Sequence, residues 1–260
     1  MKQWKKILWG IVGVTALAAG GWFAWPLLNP TPPPPEKAFF ADWGAMIVAG
    51  DWRASNGRPS EVFDNGRREL AKKFIAAGFD PKNVLQYSVR PQNYPNETVM
   101  ASTAADIMTG LGALNAATPG GCLIYFTSHG TEEGIVVGDR LVDPPAIAER
   151  IEAACGDRPT AVIVSACFAG QFIGPLRGPR RVVLAAARPD RSSFGCGEQN
   201  DFTFFDACVV SEFDKVGNFS DLAAKVDQCV SAREREMQLD ERSEPQFYIG
   251  PEVTYTLNWK

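Results

Sequence analysis

A histidine and a cysteine each follow an apolar run typical of a buried strand, and together these two residue types can perform nucleophilic catalysis. His129 comes just after the run at residues 123–126, and Cys167 just after the run at residues 161–164. A thiol is mostly protonated at neutral pH, and an adjacent imidazole can take its proton. Gly130 lacks a side chain, so its backbone N–H can approach a developing oxyanion closely. Because the chain has one histidine, this pair is the candidate Cys–His site.

The segment between the two runs predicts how these side chains meet. Residues 143–154 (DPPAIAERIEAA) have a proline-led first turn and the four-residue apolar spacing of a helix. A strand, a crossover helix and a second strand are the pattern of a parallel pair of strands. Side chains just past the carboxyl ends of neighbouring parallel strands face one crevice, where open α/β sheets bind ligands. We therefore expect His129 and Cys167 in one cleft.

Strand-like and helix-like segments alternate along the rest of the chain. Predicted strands cover residues 45–49, 84–89, 122–128, 160–166, 181–187 and 248–257, with a short hairpin over 135–137 and 140–142. Predicted helices cover residues 61–77, 98–117, 143–154, 203–213 and 221–238. This alternation predicts an α/β fold whose sheet is mostly parallel and is covered by helices on both faces.

The two strand-end motifs resemble those of the legumain-type cysteine peptidases, which are relatives of the caspases. TSHG at residues 127–130 and SACFAGQF at 165–172 match the family's His-Gly step and its small-residue-Cys step. RPDRSSFGC at 188–196, followed by FTFFD at 202–206, is similar to the family's specificity-pocket region. The resemblance extends over residues 45–213. It implies a three-layer α/β/α sandwich with a caspase-like central sheet, and a cysteine peptidase that uses no cofactor.

The resemblance also assigns roles to the loop after the first strand. In the legumain group this loop carries an Asn that orients the catalytic His and, two residues on, an Arg that helps to line the substrate pocket. Asn56 and Arg58 have that spacing here, and Arg53 is the alternative for the arginine role. An amide can hold one tautomer of an imidazole, and a guanidinium suits a carboxylate. The competing interpretation of Asn56 is a polar turn, because Asn-Gly is a strong turn dipeptide.

Three further residues are candidates for substrate binding by the same resemblance. Ser193 and Asp206 lie where the family has pocket residues, although a loop serine and a helix-capping aspartate are the alternatives. Ser165 replaces the acid that legumain has two residues before its Cys, which argues against a strict preference for asparagine. A pocket made of Arg58, Ser193 and Asp206 implies a polar P1 residue, with Asn first and Asp at lower pH. A basic P1 residue is the alternative if Asp206 dominates.

The composition describes an acidic globular protein. The formal net charge is −4, and three lysines with no acid among the first thirty residues leave −7 for the remainder. An acidic body argues against nucleic acid as a partner, and one histidine without a C-x-x-C motif argues against a metal site. Besides Cys167, five cysteines remain. Cys208 with Cys229, and Cys122 with Cys155, are possible disulfides in an oxidising compartment; the alternative is that all five are small buried residues.

The N-terminal segment predicts a membrane anchor. Residues 7–25 are uncharged and mostly apolar, follow three lysines, and approach the length that spans a bilayer. We expect residues 1–28 to be a single-pass anchor in the inner (cytoplasmic) membrane, with the catalytic domain on the periplasmic, extracytoplasmic side. A cleaved signal peptide is the alternative, because residues 16–18 form an A-x-A step. Residues 29–40 then form a proline-rich linker, and residues 41–260 the peptidase domain.

The sequence as a whole predicts a membrane-anchored cysteine endopeptidase that cleaves peptide or protein substrates through a thioester intermediate. A transamidase or peptide ligase would use the same dyad and the same thioester, so the sequence leaves the acceptor open. A non-catalytic envelope scaffold is a hypothesis of another class. The presence of both His129 and Cys167 argues against the scaffold. The sequence leaves the oligomeric state undetermined.

Overall fold

Seven of the ten strands form the central sheet in the computed structural model, which describes residues 38–260. The strands are β1 (Trp43–Ala49), β2 (Val84–Ser88), β3 (Met100–Ala101), β4 (Gly121–Thr127), β5 (Gly130–Thr131), β6 (Gly134–Val137), β7 (Arg140–Val142), β8 (Thr160–Ser165), β9 (Arg181–Ala185) and β10 (Gln246–Ile249). The central sheet has the order β10-β9-β8-β4-β1-β2-β3, and β5, β6 and β7 form a separate small sheet. All neighbours in the central sheet are parallel except β10, which runs antiparallel to β9.

The strands at the centre of the sheet are apolar along their whole length because helices cover both of their faces. Every residue of β1, β4, β8 and β9 is buried. Successive side chains of a strand point to opposite faces, so alternate residues enter two different cores. In β4, for example, Leu123 and Tyr125 belong to one core, whereas Ile124 and Phe126 belong to the other.

Helices form the outer two layers. They are α1 (Val62–Ala76), α2 (Ala104–Ala117), α3 (Pro144–Cys155), α4 (Ile173–Leu176), α5 (Phe204–Glu212) and α6 (Phe219–Glu236). Buried residues of α1, α5 and α6 pack into the core on one face of the sheet, and those of α2, α3 and α4 into the core on the other face. The side chains of Thr103, Asp143, Thr203 and Asn218 cap the N-termini of α2, α3, α5 and α6. The predicted three-layer α/β/α sandwich is confirmed.

Two predicted elements differ from the structure. The last strand was predicted over residues 248–257 but occupies Gln246–Ile249, because Gly250 and Pro251 begin a turn and proline has no N–H for a ladder. The helix predicted from residue 98 begins only at Ala104. The residues before it form the edge strand β3, which the sequence analysis missed, since a strand of two residues is too short to show a period.

The described residues form one compact unit, Ala38–Lys260. Phe40 is buried, stacks on Phe79 and makes an edge contact with Trp43, which ties the start of the unit to its core. The predicted anchor at residues 1–28 lies outside the described residues. Within residues 38–260, none of the helices has the length and apolarity needed to cross a bilayer.

Two disulfides cross-link the fold, and both are pairs considered possible from the sequence. Cys122–Cys155 joins β4 to the end of α3, and Cys208–Cys229 joins α5 to α6. A disulfide of this loop length typically stabilises a fold by about 2–4 kcal/mol. Cys167 and Cys196 are free.

Candidate active site

His129 and Cys167 lie in one cleft at the carboxyl edge of the sheet, as predicted. Thr127 at the end of β4 pairs with Ser165 at the end of β8, so His129 and Cys167 each come two residues past the same level of two parallel neighbours. The cleft has a volume of about 610 Å³. Its lining residues are Asp51, Arg53, Ala54, Ser55, Gly57, His129, Val136, Cys167, Ser192, Ser193, Phe194, Gly195, Cys196 and Gly197. A second cavity of about 400 Å³ lies beside α3, away from both residues.

The imidazole of His129 is held by a backbone carbonyl. Its Nε2 lies 2.9 Å from the carbonyl oxygen of Arg53, and its ring packs edge-on against Phe63 at a centroid distance of 5.1 Å. A carbonyl oxygen can only accept, so Nε2 carries the proton in this contact. In the neutral ring Nδ1 is then the nitrogen with a lone pair, and it is the atom able to accept a thiol proton.

Asn56 does not contact the imidazole, which corrects the role that the resemblance implied. Its Oδ1 accepts from the backbone N–H of Arg58 at 3.0 Å, and Gly57 between them has a φ of 80°. This is the side-chain-stabilised turn typical of Asn-Gly, so the polar-turn interpretation is right. The carbonyl of Arg53 takes the place that the sequence analysis gave to an amide, and a backbone carbonyl leaves no signal in residue types.

The thiol of Cys167 contacts the loop that follows β9. The backbone N–H of Ser193 donates to Cys167 Sγ at 3.3 Å, and the Ser193 carbonyl oxygen and Oγ lie 3.5 and 3.8 Å from the same sulfur. Phe168, the next residue, has a φ of 59°, a left-handed conformation that is rare for a bulky side chain. Such a sharp turn directly after a strand projects Cys167 into the cleft instead of letting the chain continue along β8.

Gly130 packs directly against the backbone of Cys167. A Cβ placed on Gly130 would lie 2.2 Å from the Cys167 carbonyl oxygen, a distance that no side chain tolerates. The position therefore requires glycine.

Asp206 and Ser165 are buried and are not among the residues that line the cleft, so the structure does not support their predicted substrate-binding roles. Asp206 is fully buried and accepts from Tyr125 Oη at 2.7 Å and from Thr127 Oγ1 at 2.5 Å. Ser165 is also buried and shares a hydrogen bond with Thr203, the N-cap of α5. Burial raises the pKa of Asp206, although the hydrogen bonds from the hydroxyls oppose that shift. A carboxylate in the first turn of a buried helix faces the core, and sequence spacing alone did not show this.

Arg53 is among the residues that line the cleft, whereas Arg58 is not. The Arg58 guanidinium pairs with Glu198 at 3.0 Å and its side chain is 71% exposed. Arg53 is held by Asp51 through two parallel bonds of 2.9 Å each, Nε to Oδ1 and Nη2 to Oδ2. Burial alone would raise the pKa of the Asp51 carboxyl, but Arg53 and two backbone N–H groups hold it below its usual value. The alternative arginine named from the sequence is thus the one in the cleft.

Among the cleft residues that were not predicted are a carboxylate and a thiol. Asp51 fixes the guanidinium of Arg53; it comes directly after Gly50, the residue that follows β1, with an Arg two residues on, and this pattern was available in the sequence. Cys196 is a half-buried free thiol at the cleft wall. Ser193, by contrast, lies in the cleft as the sequence analysis expected.

Comparisons with known proteins agree with this geometry. The model of the peptidase C13 family matches residues 48–232, which include His129 and Cys167. Caspase-1 from Spodoptera frugiperda has a similar solved structure, with a TM-score of 0.59 and 14% sequence identity over 85% of this chain and 91% of that chain. At this identity the likeness shows the fold alone. No curated protein sequence matches the chain significantly.

Proposed function

The chain belongs to the peptidase C13 family of cysteine peptidases, the legumain family, and from this premise we propose that Cys167 and His129 are its catalytic dyad. The observation that carries the proposal is their position at one level of two adjacent parallel strands, facing the same cleft. Nε2 of His129 is engaged by the Arg53 carbonyl. This leaves Nδ1 as the base for the thiol.

The proposed reaction follows the ordinary course of nucleophilic acyl transfer. Nδ1 of His129 takes the Cys167 proton as Sγ attacks the scissile carbonyl carbon. The oxyanion forms beside the backbone of Gly130, where the missing Cβ lets an N–H approach closely. The imidazolium then gives its proton to the leaving amine, which departs and leaves a thioester. Water, deprotonated by the same imidazole, hydrolyses the thioester and restores the thiol.

We assign recognition of the P1 side chain to Arg53 in place of Arg58. Arg53 lines the cleft, is 45% exposed, and is fixed in direction by its two bonds to the buried Asp51. A guanidinium binds an amide oxygen or a carboxylate, so P1 Asn and Asp both fit. Asp206 is buried and does not line the cleft, so we assign it no contact with the P1 side chain.

An electrophilic activity-based probe tests the dyad. We expect the wild type to be labelled at Cys167, and expect neither Cys167→Ala nor His129→Ala to be labelled or to hydrolyse peptides, while both keep the wild-type circular dichroism spectrum. Because residues that act as a unit are not additive, the double variant should be no less active than either single variant. Substantial turnover by Cys167→Ala would contradict the assignment of the nucleophile.

We further propose that the enzyme is anchored in the inner membrane by residues 1–28, with a proline-rich linker and an extracytoplasmic peptidase domain. The lysine-led apolar segment supports the anchor. The two disulfides support the compartment, because such bonds persist where the environment is oxidising.

A further inference from the structure

The six cysteines divide into two kinds. Four form the disulfides Cys122–Cys155 and Cys208–Cys229, which link secondary-structure elements away from the cleft. The other two, Cys167 and Cys196, are free, half-buried, and both line the candidate active-site cleft. A thiol with no structural bond, placed in the cleft of the proposed nucleophile, calls for a chemical explanation.

The backbone brings the two thiols into one neighbourhood. Ser193, three residues before Cys196, contacts Cys167 Sγ through its N–H at 3.3 Å and its carbonyl oxygen at 3.5 Å. The Cys196 carbonyl accepts from the N–H of Ser55, which also lines the cleft. Cys196 packs against the cluster of Ala49, Val62 and Phe63, and the ring of Phe63 contacts His129. Cys196 thus belongs to the loop that contacts Cys167, and it packs against the cluster that includes the ring next to His129.

The pKa of the Cys196 thiol depends on its burial and on the charge of Cys167. Burial raises the pKa of Cys196, and the nearby Cys167 raises it further because a second negative charge in the cleft is unfavourable. Both effects favour the protonated thiol of Cys196, and the second operates only while Cys167 is a thiolate. When Cys167 loses its ability to carry negative charge, that part of the shift disappears and the Cys196 thiolate becomes easier to form.

We propose that Cys167 and Cys196 form a reversible oxidation site that takes hydroperoxides and ends in a disulfide between them. The Cys167 thiolate attacks the terminal oxygen of the hydroperoxide, the O–O bond breaks, and the alkoxide takes a proton and leaves as the alcohol. The neutral sulfenic acid on Cys167 is then attacked by the Cys196 thiolate. The S–S bond forms, the S–O bond breaks, and the departing hydroxide takes a proton as water.

The disulfide would inactivate the enzyme and also protect it. While it exists, Cys167 has no thiolate for substrate; this consequence rests on the proposed function, whereas formation of the bond does not. A sulfenic acid without a neighbouring thiol oxidises further to the sulfinic acid, which thiols do not reduce. Reduction of a Cys167–Cys196 bond by a dithiol restores both thiols.

The test compares the full-length wild type with Cys196→Ser and Cys167→Ala after exposure to hydrogen peroxide. Mass spectrometry of non-reduced tryptic peptides should show a Cys167–Cys196 cross-link in the wild type and in neither variant. The two structural disulfides provide an internal reference in all three proteins. This readout needs no catalysis, so it separates failure of the oxidation site from failure of the proposed dyad.

The activity arm uses each protein's own untreated activity as reference. Peroxide should lower wild-type activity about tenfold or more, and dithiothreitol should restore it; Cys196→Ser should lose activity to the same extent without recovery. Full recovery of Cys196→Ser, or a wild type in which Cys167 is found as sulfinic acid without any cross-link to Cys196, would overturn the proposal.

Discussion

At the scale of single residues, the site depends on backbone atoms as much as on side chains. The Arg53 carbonyl accepts from His129, and the Ser193 N–H donates to Cys167. The side chain of Arg53 makes a separate interaction, because its guanidinium donates two hydrogen bonds to the Asp51 carboxylate at the cleft wall. Two arginines five residues apart thus differ in role only because the loop turns one into the cleft and the other toward Glu198.

The first prediction concerns the two arginines. Arg53→Gln should lower kcat/KM for P1 Asn or Asp peptides by about 10- to 100-fold relative to a P1 Ala peptide, because a charge-assisted hydrogen bond contributes about 1.5–3 kcal/mol. Arg58→Gln makes the same charge change outside the cleft and should stay within about twofold. The ratio of kcat/KM values for the two P1 residues is the measurement. An equal loss with P1 Ala would show that Arg53 positions the loop and does not bind P1.

The second prediction concerns the buried carboxyl of Asp206. Burial raises the pKa of the Asp206 carboxyl in the folded protein. The folded protein therefore binds a proton at Asp206 more tightly than the unfolded chain does. This contribution to stability is present at low pH and is lost as the pH rises through the folded-state pKa. Lowering the pH from about 7 to about 5 should therefore stabilise the wild type relative to Asp206→Asn. Urea unfolding of both proteins across this range checks the prediction, and a constant difference in free energy of unfolding would contradict it.

At the scale of elements, the placement of the proposed dyad follows from two parallel strands and the turns that end them. β4 and β8 are in register along their length, so the residues that follow them reach the same edge of the sheet. The short strand β5 then passes so close to the turn after β8 that Gly130 has no room for a Cβ. Asp206 in the first turn of α5 binds hydroxyls of β4, which ties the helix to the strand that carries His129.

The third prediction tests the contact between β5 and the turn after β8. Gly130→Ala should lower kcat at least about tenfold, because the added methyl group forces the backbone away from Cys167 and displaces the oxyanion site. Gly112→Ala in α2 is the matched control, since a Cβ there meets nothing within 4 Å. That control should keep full activity and gain about 0.5–1 kcal/mol in stability. Wild-type kcat in Gly130→Ala would remove the proposed oxyanion site.

At the scale of the whole molecule, the described unit is an acidic α/β/α sandwich with two disulfides and the proposed active site at the carboxyl edge of its sheet. The cross-links fasten β4 to α3 and α5 to α6, on opposite faces of the sheet. Such a unit suits an oxidising compartment, where the proposed anchor would hold it at the membrane surface.

The fourth prediction concerns topology. The full-length protein should sediment with membranes and resist extraction at high pH, because a run of about 20 apolar residues spans the bilayer. Protease added to spheroplasts should degrade the domain from residue 38 onward while leaving a cytoplasmic marker protein intact. Recovery as a soluble protein that starts near residue 19 would instead establish the cleaved signal peptide, and protection from the protease would reverse the orientation.

The sequence by itself determined the fold class and predicted that His129 and Cys167 share one cleft. Apolar runs of strand length, each followed by a His-Gly or a small-residue-Cys step, specify a parallel pair whose ends meet, because topology fixes which edge a residue reaches. The order of strands and helices could also be predicted, because burial produces a regular spacing of apolar residues along each element.

Only the tertiary structure decided which neighbours surround the dyad. Arg53, Arg58 and Asn56 lie in one polar loop whose residue types are compatible with several conformations, and the bond from Asp51 to Arg53 selects one of them. Asp206 faces the core because its helix packs on β4, a contact between residues 81 positions apart along the chain. Local patterns encode which residues are apolar and where strands end. They do not encode the direction of a polar side chain in a loop, because long-range packing sets it.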